Sequence, residues 1–327
     1  MTNKFIFYLL VIKFIFINTS NCVANETILK KIISADHIYG IKYYNKNLYL
    51  SNVLKEFIIK IEISNNYEKK KLFNINKGWK KFHFIKKIDH NLNGIHSIQP
   101  LNSNLFFSIS YLKKKLILID LNNKKIIDFP EINKNLKGPS HITHVKDKSL
   151  LIISDYDGGE VYLFDYIKKN FQKLSEISEV TFDKPHMTTI HGNEYYILDT
   201  KKRNITILDN NFNKIKSLNK NHFKFKNFKK YEKNFLDIPV AIKIDDYNNI
   251  YISDVGKNNC IYVINNKLSL IGIIENQKII FNKSSFIEKN LNLNKVYDLD
   301  INKDEIFIAS THSNKIFHLK NIFRKND

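Results

Sequence analysis

The chain has 327 residues, room for two average domains or one large all-β unit, and 43% of them are hydrophobic, which supports a large core and excludes a mostly disordered protein. Its formal charge is +20, yet only Arg203 and Arg324 among the 52 basic residues are arginines. A nucleic-acid groove recruits arginine for bidentate contacts, so the charge reads as a solvated lysine surface and the expected partners exclude nucleic acid.

The first segment is MTNKFIFYLLVIKFIFINTSNCVAN. Lys4 gives a short positive region, Phe5 to Ile17 is apolar apart from Lys13, and Cys22-Val-Ala24 offers the small residues a signal peptidase inspects. Residues 1–24 therefore read as a signal peptide, with an uncleaved anchor as the alternative. The expectation is a secreted or periplasmic protein with no integral membrane span after cleavage. Removal of Cys22 would leave only Cys260, too few for a disulfide framework or cysteine metal cluster. Cys260 lies in an alternating run and reads as a buried, inert thiol.

From there the chain repeats itself. Six segments share one grammar, beginning at His37, Gly94, Pro139, Lys184, Ile238 and Lys295. Each opens with a short apolar strand and a polar turn such as Lys146-Asp-Lys148. A second strand follows, ending in Ser-Asp or a relative (Ser154-Asp155, Leu198-Asp199, Ser253-Asp254), then another turn and a third strand such as VYLFD. A weaker fourth strand completes most copies, for example KKIIDFP from Lys124. Alternation with period two and abundant β-branched residues predict strands rather than helices. Four antiparallel strands repeated roughly every 45–50 residues predict an all-β, six-bladed β-propeller, with residues 25–327 as a single domain and a monomer as the expected state.

Two insertions break the rhythm. One runs from Asn76 and carries Trp79; the other runs from Lys216 and alternates Lys with Phe and Tyr. The second pattern fits either a stacking surface for single strands or an ordinary fourth strand followed by a basic loop.

The Pro-x or Pro-His openings, the Ser/Ala-Asp strand ends and the IYVI third strand resemble NHL-repeat and related six-bladed propellers over about 280 residues. That resemblance implies a family that includes binding scaffolds and enzymes, among them gluconolactonase-like metal hydrolases, the peptidyl-hydroxyglycine amidating lyase and the streptogramin lyase. Fold alone does not choose among them.

His96, His141 and His186 are 45 residues apart each time, and each sits near the start of an innermost strand. Blades converge there, so three imidazoles at the channel mouth are candidate ligand-binding residues and candidate ligands for a divalent metal, zinc or calcium. His37 is a fourth candidate at a similar level, while His144 and His191 read as ordinary polar positions. The amidating lyase also opens inner strands with Pro-His and holds an axial metal. PSHI around His141 and KPHM around His186 match that pattern, but its substrate-binding arginine has no counterpart here. Asp155, Asp199 and Asp254 read as turn caps. Asp237 and Asp298 lie near inner strands and can supply carboxylates; Glu62 reads as outer. Gly-rich phosphate loops, nucleophile elbows and His-Glu-x-x-His motifs are missing from the sequence. Three functions stay open: binding of a small molecule, peptide or glycan at the channel mouth; a metal-dependent lyase or lactonase; and a scaffold that binds another protein through its insertions. Whether the chain is an enzyme is left undecided.

Overall fold

A computed structural model of the chain describes residues 28–35, 37–52, 57–63, 66–74, 95–123 and 125–324. The signal-peptide segment and the insertion carrying Trp79 lie outside the described residues. The strands form six antiparallel sheets. A strand β1 (Leu29–Ser34) precedes blade 1, which comprises β2 (Ile38–Tyr44), β3 (Asn47–Asn52), β4 (Phe57–Glu62) and β5 (Glu68–Asn74). Blade 2 holds β6 (Ile95–Pro100), β7 (Leu105–Ser110), β8 (Lys115–Asp120) and β9 (Lys125–Asp128). Blade 3 holds β10 (Pro139–Val145), β11 (Leu150–Asp155), β12 (Glu160–Asp165) and β13 (Asn170–Lys173). Blade 4 holds β14 (Pro185–His191), β15 (Glu194–Asp199), β16 (Asn204–Leu208) and β17 (Lys214–Asn219). Blade 5 holds β18 (Pro239–Ile244), β19 (Ile250–Asp254), β20 (Cys260–Ile264) and β21 (Leu270–Glu275), extended by a hairpin of β22 (Lys278–Phe281) and β23 (Ser284–Ile287). Blade 6 holds β24 (Val296–Asn302), β25 (Glu305–Ser310) and β26 (Lys315–Lys320). The innermost strands neighbour one another in the cycle β2, β6, β10, β14, β18, β24 and back to β2.

Two features depart from six identical four-stranded blades. Blade 5 has six strands. Blade 6 takes its outer strand from the other end of the chain: β1 pairs antiparallel with β26, Ile32 facing Phe317. That pairing removes the edge an open ring would leave on the last blade. Contacts with blade 1 reinforce it. The Tyr67 hydroxyl lies 2.6 Å from His318 Nδ1, and His318 Nε2 lies 3.0 Å from Glu305, which also pairs with Lys30 at 2.9 Å.

Sandwiching between blades explains the residue pattern. Second strands such as β7 (LFFSIS) and β19 (IYISD) are buried along nearly their whole length, because a neighbouring blade covers each face. They therefore read as apolar runs. Outer strands such as β13 (NFQK) and β9 (KIID) are half exposed and carry polar residues and lysines, which discourage edge-to-edge pairing. Cys260 is buried in β20 and burial pushes its thiol well up, in line with an inert core role.

Asp155, Asp199 and Asp254 do more than cap the turn that follows. Each accepts backbone N–H groups from the segment arriving at its own blade: Gly138 at 2.7 Å, Asp183 at 2.7 Å and Asp237 at 2.8 Å respectively. Hydroxyls then stitch blade to blade. Ser140 donates to the His186 carbonyl at 2.7 Å, Thr200 to Pro239 at 2.6 Å, Ser253 to Val296 at 2.6 Å and Thr311 to Ile38 at 2.6 Å, the last across the ring closure.

Candidate functional site

Every innermost strand carries a β-bulge near its start, where the register against the second strand shifts by one residue. The bulged residues are Tyr39, His96, Ser140, His186, Val240 and Tyr297. The register sets one of the three evenly spaced histidines apart from the other two. His96 and His186 occupy equivalent positions, but His141 is one residue further along, opposite Ser154, where blades 2 and 4 place Ser97 and Met187. The equal spacing in sequence arises because the hairpins and connections differ in length from blade to blade.

The three histidines still converge. With Tyr39, Met187, Tyr297 and Asp298 they surround a space of ≈ 10 Å³, room for about one water. Tyr39 stacks on Tyr297 at 4.3 Å and meets His96 at a tilt at 4.2 Å, His96 meets Tyr111 at 4.9 Å, and Tyr156 meets His186 edge-on at 5.4 Å. These rings fill the channel at the end where the inner strands start. Burial pushes the Tyr39 phenol upward, with Tyr297 adding to it. Burial lowers His186 to about 3, with His96 contributing, and its Nδ1 has no hydrogen-bond partner among the described residues. His141 is held well below its ordinary value by burial, then by Lys243 and Lys42. Among the described residues no group of three or more His, Cys, Asp or Glu side chains is arranged to hold a metal ion. Tyr39, Tyr111, Tyr156 and Tyr297 pack around the trio, and Lys243 and Lys42 act on His141. His37 is exposed in the turn before β2, its N–H bound to Asn314 at 2.9 Å, and does not line the channel.

The open volume lies deeper. A cavity of ≈ 530 Å³ runs from His141 and Asp298 toward the far ends of the inner strands, and all six of those strands line it. Two positions beyond the first bulge-following layer, the register aligns Lys42, Gln99, Thr143, Thr189, Lys243 and Asp300. The side chains at these alternate positions share one strand face. Lys42 and Lys243 both approach Asp300, at 3.5 and 3.6 Å. Burial pushes the Lys42 ammonium down and Asp300 pushes it back up. Burial raises Asp298 to about 6, opposed by Lys243 and by a bond from the Ile41 amide. His144, read as a bystander, lines the outer cavity and lies 3.3 Å from the Tyr166 hydroxyl; His191 faces Asn248 instead, at 2.6 Å.

The inner strands have a free edge at the axis, so their amides need partners. Side chains of the preceding blade supply them: Asp298 accepts from Ile41 N at 2.9 Å, Asp300 from Tyr43 N at 2.7 Å, and Ser97 from Ile142 N at 3.3 Å. The acids are thus partly committed to ring assembly. Asp237, the other suggested carboxylate, pairs with Arg203 at 2.9 Å outside the cavity, and Glu62 pairs with Lys60 in the blade's third strand. Lys42, Lys243, Asp300 and the tyrosine layer went unread in the sequence. A lysine flanked by apolar residues in an inner strand, as in VAIKI, was the available signal.

The aromatic rings of the Lys216 insertion are not a stacking surface. Phe223, Phe225, Phe228, Tyr231 and Phe235 are buried in the core that joins blades 4 and 5. Among the described residues no helix is long and apolar enough to cross a membrane.

The architecture is a six-bladed β-propeller. Solved structures with a similar fold include virginiamycin B lyase from Staphylococcus aureus, at 12% identity and TM-score 0.57 over 89% of this chain and 99% of that one. A protein of unknown function from Bacteroides thetaiotaomicron aligns at 9% identity and TM-score 0.59, over 88% and 70%. The nidogen–laminin complex aligns at 13% identity and TM-score 0.53, over 71% and 76%. At these identities the likeness is one of fold. No family model and no curated protein sequence matches the chain.

Proposed function

We propose that this propeller binds a small organic molecule, or the end of a peptide or glycan, in the axial cavity beyond His141. One observation carries the reading: six strands from six blades deliver Lys42, Gln99, Thr143, Thr189, Lys243 and Asp298 to one cavity of ≈ 530 Å³. That volume lies in the range of small-molecule pockets, and convergent polar groups on an apolar wall are their usual make-up. A structure of catalytically inactive virginiamycin B lyase with quinupristin supports small-molecule binding by a fold of this kind. The signal-like N-terminus supports export, which N-terminal sequencing of the mature protein tests. Fragment screening by ligand-observed NMR tests the site: hits should be weakened or lost in Gln99→Trp, whose larger indole narrows the cavity. Hits that all survive that change would place binding elsewhere.

A second reading, a lyase or lactonase, is favoured by His141. Its imidazole is neutral at physiological pH, borders the cavity and lies 3.3 Å from Thr143 Oγ1. A neutral imidazole can accept a hydrogen bond from a reacting group, and Lys42 and Lys243 can stabilise an oxyanion that forms. A turnover assay on any ligand found, with His141→Asn as the comparison, separates a binder from an enzyme.

A further inference from the structure

We infer that the cavity's ligand is a small organic acid, held by its carboxylate between Lys42 and Lys243; this rests on the axial cavity being the binding site. The two lysines come from β2 and β18, blades 1 and 5, and meet over a single acid. Asp300 is the one carboxylate within 4.0 Å of either ammonium among the described residues. Its distances of 3.5 and 3.6 Å exceed the 2.7–2.9 Å expected of a charge-assisted hydrogen bond. One Asp300 oxygen already accepts the Tyr43 amide at 2.7 Å. The Lys243 side chain is only 9% exposed, so it draws little compensation from bulk water. A buried ammonium costs several kcal/mol unless paired and hydrogen-bonded.

The neighbouring acid, Asp298, offsets part of their charge but leaves their hydrogen-bonding donors unmet. Both Asp298 oxygens accept backbone amides, Ile41 at 2.9 Å and Leu299 at 2.8 Å. His141 brings no charge, since burial keeps it neutral. Two ammonium groups with unmet donors thus face an open cavity, and a carboxylate has two oxygens to offer them. Ile41, Ile98 and Ile190 line the same space and suit an apolar body attached to that acid.

Three probes sharing one skeleton test the inference: 3-phenylpropanoate, 3-phenylpropanamide and 3-phenylpropylammonium, titrated calorimetrically at neutral pH. The carboxylate should bind about tenfold or more tighter than the other two, and Lys243→Met should weaken it about ten- to a hundredfold. Lys267→Met, an exposed charge in the turn after β20, should leave it unchanged. Lys42→Met serves as the second variant should Lys243→Met fail to fold. If the amide or ammonium binds as well as the carboxylate and Gln99→Trp abolishes it, the acid assignment falls while the cavity stands. If no probe binds at millimolar concentration, or carboxylate binding survives both Gln99→Trp and Lys243→Met, the acid assignment is overturned together with the site.

Discussion

His186 shows how a single side chain sets a pH limit on this ring. Its imidazole is lowered to about 3 when folded, against about 6.5 when unfolded, chiefly by burial. The unfolded chain therefore binds the extra proton first. Stability contributed by the neutral imidazole is present above about pH 6.5 and is lost as pH falls toward about 3. His141 is shifted in the same direction. His186→Phe keeps the edge-on contact with Tyr156 and removes the unpartnered Nδ1. Its melting temperature should fall less than wild type's between about pH 7 and pH 5. An identical fall would show that His186 is not responsible. Asp155 is a separate case, because its carboxylate holds the arriving Lys137 and Gly138 amides. Asp155→Ala should cost about 1–3 kcal/mol in denaturant unfolding, since the buried Gly138 N–H and the half-buried Lys137 N–H lose their acceptor. At this scale the sequence was half legible. The aspartates announced themselves as caps because the residues after them form turns. The histidines misled, because a one-residue bulge cannot be seen in spacing: His141 shares an interval with His96 and His186 but not a register.

Strands were legible where both faces are buried, because LLIISD and IYISD admit little else. Less readable were the pieces that close the ring. β1 (LKKIIS) has no partner near it in sequence and finds one at the far end of the chain. Its Lys30 and Lys31 face outward, so it looks like a linker. Deleting residues 25–34 should abolish cooperative thermal unfolding or yield aggregates on gel filtration, because β26 becomes an open edge. A monomer with an unchanged melt would contradict the closure described here. The β22–β23 hairpin is a different element. All four β23 residues are exposed, so replacing Phe286 and Ile287 with serine should lower the melting temperature much less, while β22 keeps Ile279 in the core. The aromatic-basic insertion was ambiguous for a related reason: KFKNFKKYEKNF gives the same pattern whether its rings bind a ligand or turn inward, and packing between blades 4 and 5 turns them inward.

For the molecule as a whole, the fold was readable from repetition while the site was not, since the axis gathers residues from six distant strands. Its electrostatics give a pH dependence opposite in sense to that of stability. Asp298 is raised to about 6, so it loses its negative charge as pH drops through that value. With that charge gone, the field of Lys42 and Lys243 is less opposed, and carboxylate binding should tighten several-fold between about pH 8 and pH 5.5. Calorimetry across that range checks the sign. The central claim is that the ligand enters the channel, and the sequence supplies a reporter for it. Methionine occurs twice, as Met1 and Met187, and Met187 stands at the floor of the axis beside His141 and Asp298. In protein labelled with ¹³C at methionine methyl groups, titration with any bound fragment should shift or broaden the Met187 resonance in step with calorimetric saturation. A fragment that saturates while the Met187 signal stays fixed would be bound away from the channel, and the axial site would be wrong.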